Sequence, residues 1–313
     1  MKSGKRAQAT HKRQHFVPKS YLASWTDPDT PTDQEPYVHL LTKDGSGYRR
    51  KAPAKIFRET DLYTIKMAGG LRDLTLEHGL SQLEDNFMRV VREFIMPRRT
   101  LPTIPRLKLM LFVAALHART IKMRDHHSVQ WKRLLDIAER CAPEDGRIEW
   151  RDGTTDPNAP SYIHVDDIRE LVQNPMPTTV PAAVNAETPL MMQMHARILC
   201  IESDTGFITS DSPVVWMNAE KEQTWETRFW GPSFIDKELE ITVPLTPNRA
   251  LLLRHGTPGL DYVEVPDKAM RMLNARTRHY ANKETVSRLG HYEPLSLQDP
   301  SLRMSATGTS YVR

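Results

Sequence analysis

Two long runs in the middle of this chain repeat their apolar residues at helical spacing, and this constrains the fold more than any other feature. Leu80, Leu83, Phe87, Val90, Val91 and Phe94 recur at three- and four-residue steps. Pro97, Pro102 and Pro105 break that run. A second helix is expected from about 106 to 141, with Leu109, Phe112, Leu116, Thr120 and Met123 as its core stripe. The flanks have a different pattern. YVHLLTK (37–43), DGSG and YRRKAP form a hairpin pattern, and IFRETDLYTI (56–65) suits a further strand. RILCIE (197–202), SDTG and FITSDSPVVW (207–216) suggest a second hairpin. LEITVPL (239–245), TPN and RALLL (249–253) suggest a third. Short helical spacing at 165–173 and a longer run at 269–289 complete the pattern. The expected class is α+β: an α-helical middle with antiparallel β-hairpins and no βαβ alternation.

The expected organisation is a mobile basic arm over 1–13, a single α+β catalytic domain over 14–295 and a C-terminal tail over 296–313. Four prolines between 175 and 189 mark either a boundary between lobes, near 174–190, or a long internal loop. A chain of 313 residues with 39% hydrophobic and 26% charged residues can bury a full core. Its two cysteines, Cys141 and Cys200, suit free thiols in a reducing compartment. The basic N-terminus has no apolar stretch behind it, and LMLFVAAL (109–116) is far too short to span a bilayer. The expected location is the cytoplasm, with no membrane partner.

The net charge of +4 is too small to specify a polyanion partner, so its distribution matters more. Lys2, Lys5, Arg6, Lys12, Arg13 and Lys19 all precede Asp27, the first acidic residue. They lead into Phe16, Tyr21 and Trp25. Cations that hold phosphates beside rings that stack on bases suit a nucleic-acid surface, while a solubilising terminus has the same composition. His15 directly precedes the first segment able to pack. A positioned histidine serves proton transfer or phosphate binding, or else a core hydrogen bond. In HARTIKMR (117–124), His117, Thr120 and Arg124 share a helical face, and Arg119 must reach a partner or a cleft because an unpaired buried charge is costly. In ITSDSPVV (208–215), Asp211 ends an apolar run. Its carboxylate suits a general base or a cation stabiliser, and equally an Asx turn. No phosphate-binding glycine loop, zinc-type Cys/His spacing or serine-nucleophile elbow occurs. No cofactor and no metal are therefore expected.

Taken in order, QHFVPKSYL (14–22), RTIKMR (119–124), FITSDSPVV (207–215), ITVPLTPNRALLL (241–253) and LNARTRHYA (273–281) resemble a bacterial family of defence-associated proteins. That family, a domain of unknown function, is marked by HFVPxxYL and ITSDxPV. The similarity covers roughly 14 to 290. Where the family usually reads RTP this chain has Arg119-Thr120-Ile121, which puts the helix break there in doubt, and Trp25 stands where the family usually has Phe. The pattern is also similar to phage-defence DNA glycosylases, which remove glucosylated hydroxymethylcytosine from viral DNA and leave abasic sites. That resemblance implies an N-glycosidic hydrolase acting on phage DNA, with Asp211, His15 and Arg119 at its centre and Gln14, Tyr21, Ser210 and Asn274 in support.

On this expectation Asp211 stabilises an oxocarbenium-like sugar or activates water, and protonated His15 or Arg119 neutralises the departing base. Tyr21 or Trp25 stacks on the extruded base, and Lys12, Arg13, Lys19 and Arg124 contribute to DNA binding. A lyase step would need a lysine, and none stands out in the sequence. A metal-independent nuclease and a non-catalytic nucleic-acid-binding sensor are the alternatives.

Overall fold

The computed structural model describes residues 13–27, 29–67, 71–149, 162–218 and 232–290. Three N-terminal pieces pack first. Strand β1 (Arg13–His15) leads through Pro18 into the single-turn helix α1 (Lys19–Leu22) and a 3₁₀ turn, Ala23–Trp25. The expected first hairpin forms from β2 (Val38–Thr42) and β3 (Tyr48–Lys51). The 56–65 segment gives two short strands instead of one, β4 (Arg58–Thr60) and β5 (Ile65–Lys66). Left-handed backbone at Phe57 (φ 50°) and Asp61 (φ 56°) breaks the extended run at both ends of β4. β4 pairs antiparallel with β1, and β5 with β6 (Arg72–Asp73).

The helical middle carries the core. Helix α2 (Thr75–Val90) runs into a π-helical turn, Val91–Ile95. Helix α3 (Thr103–Ala118) lies against it, and the rings of Phe87 and Phe112 stack with centroids 3.8 Å apart. Each apolar side chain taken out of water here contributes about 1.5–3 kcal/mol. The expected 106–141 helix is in fact two. The chain leaves helical geometry at Thr120 (ψ 155°), whose hydroxyl accepts from the Met123 amide at 3.3 Å and so caps α4 (Ile121–Cys141). A capping threonine therefore makes the break without proline. It also removes the common face expected for His117, Thr120 and Arg124, which requires one continuous helix.

β7 (Arg147–Glu149) and β8 (Tyr162–His164) pair beside α5 (Val165–Gln173). The proline-rich stretch read as a lobe boundary or a loop is helix α6 (Met176–Met192). Pro175 caps it and Pro177 sits in its first turn, where no amide hydrogen is needed. Only Pro181 and Pro189 interrupt its bonding. Met176, Val180 and Met191 are buried in the same core as the α3 residues.

The C-terminal strands form two sheets. One has the order β11-β12-β13-β9-β14, with β9 (His195–Cys200), β11 (Val215–Asn218), β12 (Leu239–Thr246), β13 (Arg249–Arg254) and β14 (Gly259–Glu264). β12 and β13 make the expected hairpin, whereas β14 runs parallel to β9. The other sheet has the order β10-β15-β2-β3. Here β10 is Thr209–Ser210 and β15 is Glu284–Ser287. The expected 197–216 hairpin does not form, because β9 pairs with β13 and β10 with β15. Gly206 (φ +63°) turns the chain away at a point where a Cβ would lie 2.3 Å from the Pro247 carbonyl oxygen. The expected 269–289 helix ends early as α7 (Asp267–Tyr280), and buried Thr285 and Val286 continue as β15. The fold is α+β. Among the described residues no helix is long and apolar enough to cross a membrane.

Candidate functional site

Most of the motif side chains hold the fold together. Gln14 is fully buried; it donates to Thr64 Oγ1 at 3.0 Å and accepts from the Tyr63 amide at 2.6 Å. Tyr21 is also fully buried, with its hydroxyl 2.7 Å from both Thr209 Oγ1 and the Pro244 carbonyl oxygen. Trp25 Nε1 donates to the Phe207 carbonyl at 2.7 Å. Asn274 accepts from the Ile208 amide and donates to the Gly206 carbonyl, both at 3.0 Å. Ser210 Oγ accepts from the Ser212 amide at 3.1 Å. These groups join the first motif to the third and the third to α7. The expectation that Tyr21 or Trp25 stacks on a base is therefore corrected, since neither ring has an exposed face. Gln14, Ser210 and Asn274 are buried too, and each places polar atoms in buried hydrogen bonds within the fold.

Arg119, the C-cap of α3, is buried as well. Its Nη1 meets Glu84 Oε1 at 2.8 Å, its Nη2 donates to the His15 carbonyl at 2.5 Å, and its Nε faces the Tyr63 hydroxyl at 3.4 Å. Burial works against the charge, but Tyr63 and Glu84 more than offset it and hold the guanidinium above its ordinary pKa. Arg119 is thus a structural cation. His15 has a pKa lowered to about 4, chiefly because burial disfavours the charged ring, with Arg119, Arg58 and Lys19 pushing the same way. The expected protonated His15 is therefore neutral near pH 7 and cannot neutralise a departing base. Its Nε2 is buried without a hydrogen-bond partner.

Asp211 lies where β10, β15, β2 and the end of α7 meet. Its Oδ1 accepts from the Asn282 amide at 2.7 Å, and its Oδ2 accepts from the amides of Lys283 at 2.7 Å and Glu284 at 3.1 Å. A carboxylate has about four acceptor positions, so among the described residues one on Oδ1 takes no hydrogen bond. Burial raises the carboxyl above its usual range, against the pull of the three amides. Two lysines share this corner. Lys43 Nζ donates to the Ala281 carbonyl at 2.8 Å and Lys122 Nζ to the Tyr280 carbonyl at 3.2 Å. Both lysines are exposed as residues, but atoms packed around their amines desolvate and lower them; Asp211 opposes this, and Lys43 further lowers Lys122.

Arg13 and Lys19 are exposed, while Arg124 pairs with Glu59 at 2.5 Å and Asp125 at 2.8 Å. Lys12 and the residues before it lie outside the described region. Asp211 and His15 have different charged neighbours: Asp211 acts on Lys43 and Lys122 and is acted on by Glu284, whereas Arg119, Arg58 and Lys19 act on His15.

A basic edge adjoins the Asp211 corner. Every residue of β3 is exposed, and three of the four are basic: Arg49, Arg50 and Lys51. A pocket of about 210 Å³ lies between Arg49, Lys51, Lys55, Ile56, Phe57 and Glu284. Arg49 Nη2 contacts both carboxylate oxygens of Glu284, at 2.6 and 2.7 Å. The Glu284 carbonyl also accepts from the Asp211 amide at 3.1 Å, which ties the pocket to the corner. Sequence reasoning used YRRKAP only as a hairpin arm, although its run of cations was the available signal. Among the described residues no group of three or more His, Cys, Asp or Glu side chains is placed to hold a metal ion.

No curated protein and no solved structure matches the chain. One family model does match, over residues 13–289, and it covers every one of the motifs above. The chain therefore belongs to the family described as "Protein of unknown function (DUF4238)".

Proposed function

We propose that the protein binds nucleic acid along the β3 edge and hydrolyses an N-glycosidic bond at the adjoining Asp211 corner. The observation that carries this reading is the pocket itself. Three cations, two apolar side chains and a carboxylate surround about 210 Å³, and a backbone hydrogen bond connects them to Asp211. Cations of this kind hold phosphates, and Ile56 and Phe57 supply apolar contact for a sugar or base face. A cavity of this size takes part of a nucleotide rather than enclosing it whole. Glu284 is the carboxylate in that lining, and Asp211, bonded to it through the backbone, is a second one behind it with an acceptor position that no described residue fills. It suits stabilisation of an oxocarbenium-like sugar or orientation of water. The Lys43 ammonium is the nearby cation for the departing base. His15 and Arg119 act as supports in this mechanism. The resemblance to phage-defence DNA glycosylases supplies the substrate class, a glucosylated hydroxymethylcytosine in viral DNA.

One observation favours a second reading, a nucleic-acid-binding sensor without chemistry: the motif side chains Gln14, Tyr21, Trp25, Arg119 and Asn274 are all engaged in tertiary bonds. The products of incubation with matched duplexes carrying cytosine, hydroxymethylcytosine or glucosylated hydroxymethylcytosine separate these readings. Alkali-labile sites confined to the glucosylated duplex support the glycosylase. Direct nicks indicate a nuclease, and a mobility shift with intact DNA indicates the sensor.

A further inference from the structure

Lys43 and Lys122 come from β2's end and α4's first turn, 79 positions apart in sequence, yet their amines reach successive carbonyl oxygens at the end of α7. Lys122 Nζ also lies 5.2 Å from the centre of the Tyr280 ring. The Asp211 carboxylate grips the next three amides, those of residues 282 to 284. Two amines and a carboxylate are thus gathered around one five-residue stretch of backbone. Capping of the helix C-terminus explains one cation there, but a second placed beside the first adds repulsion. A lysine next to another cation is the arrangement that makes an amine nucleophilic near neutral pH, and a carboxylate at hand can take up a proton in a later step.

We infer that Lys122 is an amine nucleophile that forms an imine with the C1′ aldehyde of an abasic site in DNA, making this corner a lyase site. The inference rests on the proposed glycosylase reading for the source of that aldehyde. Lys122 is the better placed of the two, because its bond to the Tyr280 carbonyl is the longer and gives way more readily than that of Lys43 to Ala281. The neutral amine adds to the carbonyl carbon, and the aldehyde oxygen leaves as water after taking up two protons. A base then removes a proton from C2′. The electron pair left behind forms the C2′–C3′ double bond as the 3′ phosphate departs. The open position on Asp211 Oδ1 serves as that base. Asp211 and Lys43 are the charged groups acting on Lys122, and Tyr280 is the ring it faces. Removing Lys43 raises the Lys122 amine and moves its reactivity to higher pH.

The test supplies the full chain with an oligonucleotide that already contains an abasic site, in the presence of borohydride, and maps the reduced adduct by peptide mass spectrometry. The expected result is a covalent adduct at Lys122, lost in Lys122→Ala. In Lys43→Ala its yield falls several-fold at pH 7 and recovers near pH 9. An adduct mapped to any other amine, or no adduct with the unaltered chain, overturns the inference. Because the abasic site is preformed, this outcome is independent of base release. Base release without an adduct removes only the lyase step, and an adduct without base release removes only the glycosylase.

Discussion

The hydroxyl of Tyr21 lies 2.7 Å from that of Thr209 and the same distance from the Pro244 carbonyl, joining the first motif to the third and to β12 inside the core. Burial pushes the Tyr21 phenol well above its ordinary pKa, so it stays a donor throughout the accessible pH range. Tyr21→Phe removes the hydroxyl, which leaves the Pro244 carbonyl without its donor and the Thr209 hydroxyl without its acceptor. The expected loss is about 1–3 kcal/mol of stability, read as a lower urea midpoint with an unchanged denaturant slope. DNA affinity per folded molecule should not change. A loss of affinity without a loss of stability would show that the hydroxyl acts on substrate rather than on the fold.

His15 gives a pH dependence with a definite sign. Its folded pKa of about 4 lies below the ordinary 6.5. Above pH 6.5 the ring is neutral in both states and contributes no slope. Below it the unfolded chain takes up a proton that the folded chain refuses, so stability falls between pH 6.5 and pH 4. The contribution is at most about 3 kcal/mol, and less because the ring is only partly buried. His15→Phe should flatten the urea midpoint across that window, and the wild-type ring should titrate near 4 by NMR. A midpoint close to 6.5 would show that the ring is solvated.

Asp211→Asn tests how far one residue is both frame and chemistry. The substitution places an amide group where three backbone N–H groups point at carboxylate oxygens, so one donor faces another. A destabilisation of about 1–3 kcal/mol is expected. Base release under conditions where the variant remains folded should fall on the order of 10²–10⁴-fold. Full activity in the folded variant would leave Asp211 as a structural clamp alone.

The basic edge predicts a salt signature. Replacing Arg49, Lys51 and Lys55 with alanine removes three cations from the pocket rim. If each meets a phosphate, the log–log salt slope of DNA binding should flatten by about 2–3 units. Arg49 also holds Glu284 and Lys55 holds Glu35, so a thermal melt must accompany the measurement. An unchanged slope in a folded triple variant would move the nucleic-acid face elsewhere.

The sequence alone was enough to establish the α+β class, the helical middle, the β2–β3 and β12–β13 hairpins and the segments worth attention. These follow from periodicity and turn chemistry, which are local properties of the chain. It did not show that Thr120 divides the long helix, that the prolines of 175–189 lie in one, or that β15 slots between β10 and β2. The first two rest on local capping that apolar periodicity does not register, and the third depends on partners far away in sequence. The site residues show the limit most clearly. A polar group such as Gln14, Tyr21 or Asn274 within an apolar motif looks alike whether it awaits a substrate or bonds a distant strand, because both roles require a polar atom held in apolar surroundings. Only the tertiary structure supplies the partner that distinguishes them. It shows the same for Lys43 and Lys122, which no sequence pattern relates until the end of α7 brings their amines together beside Asp211.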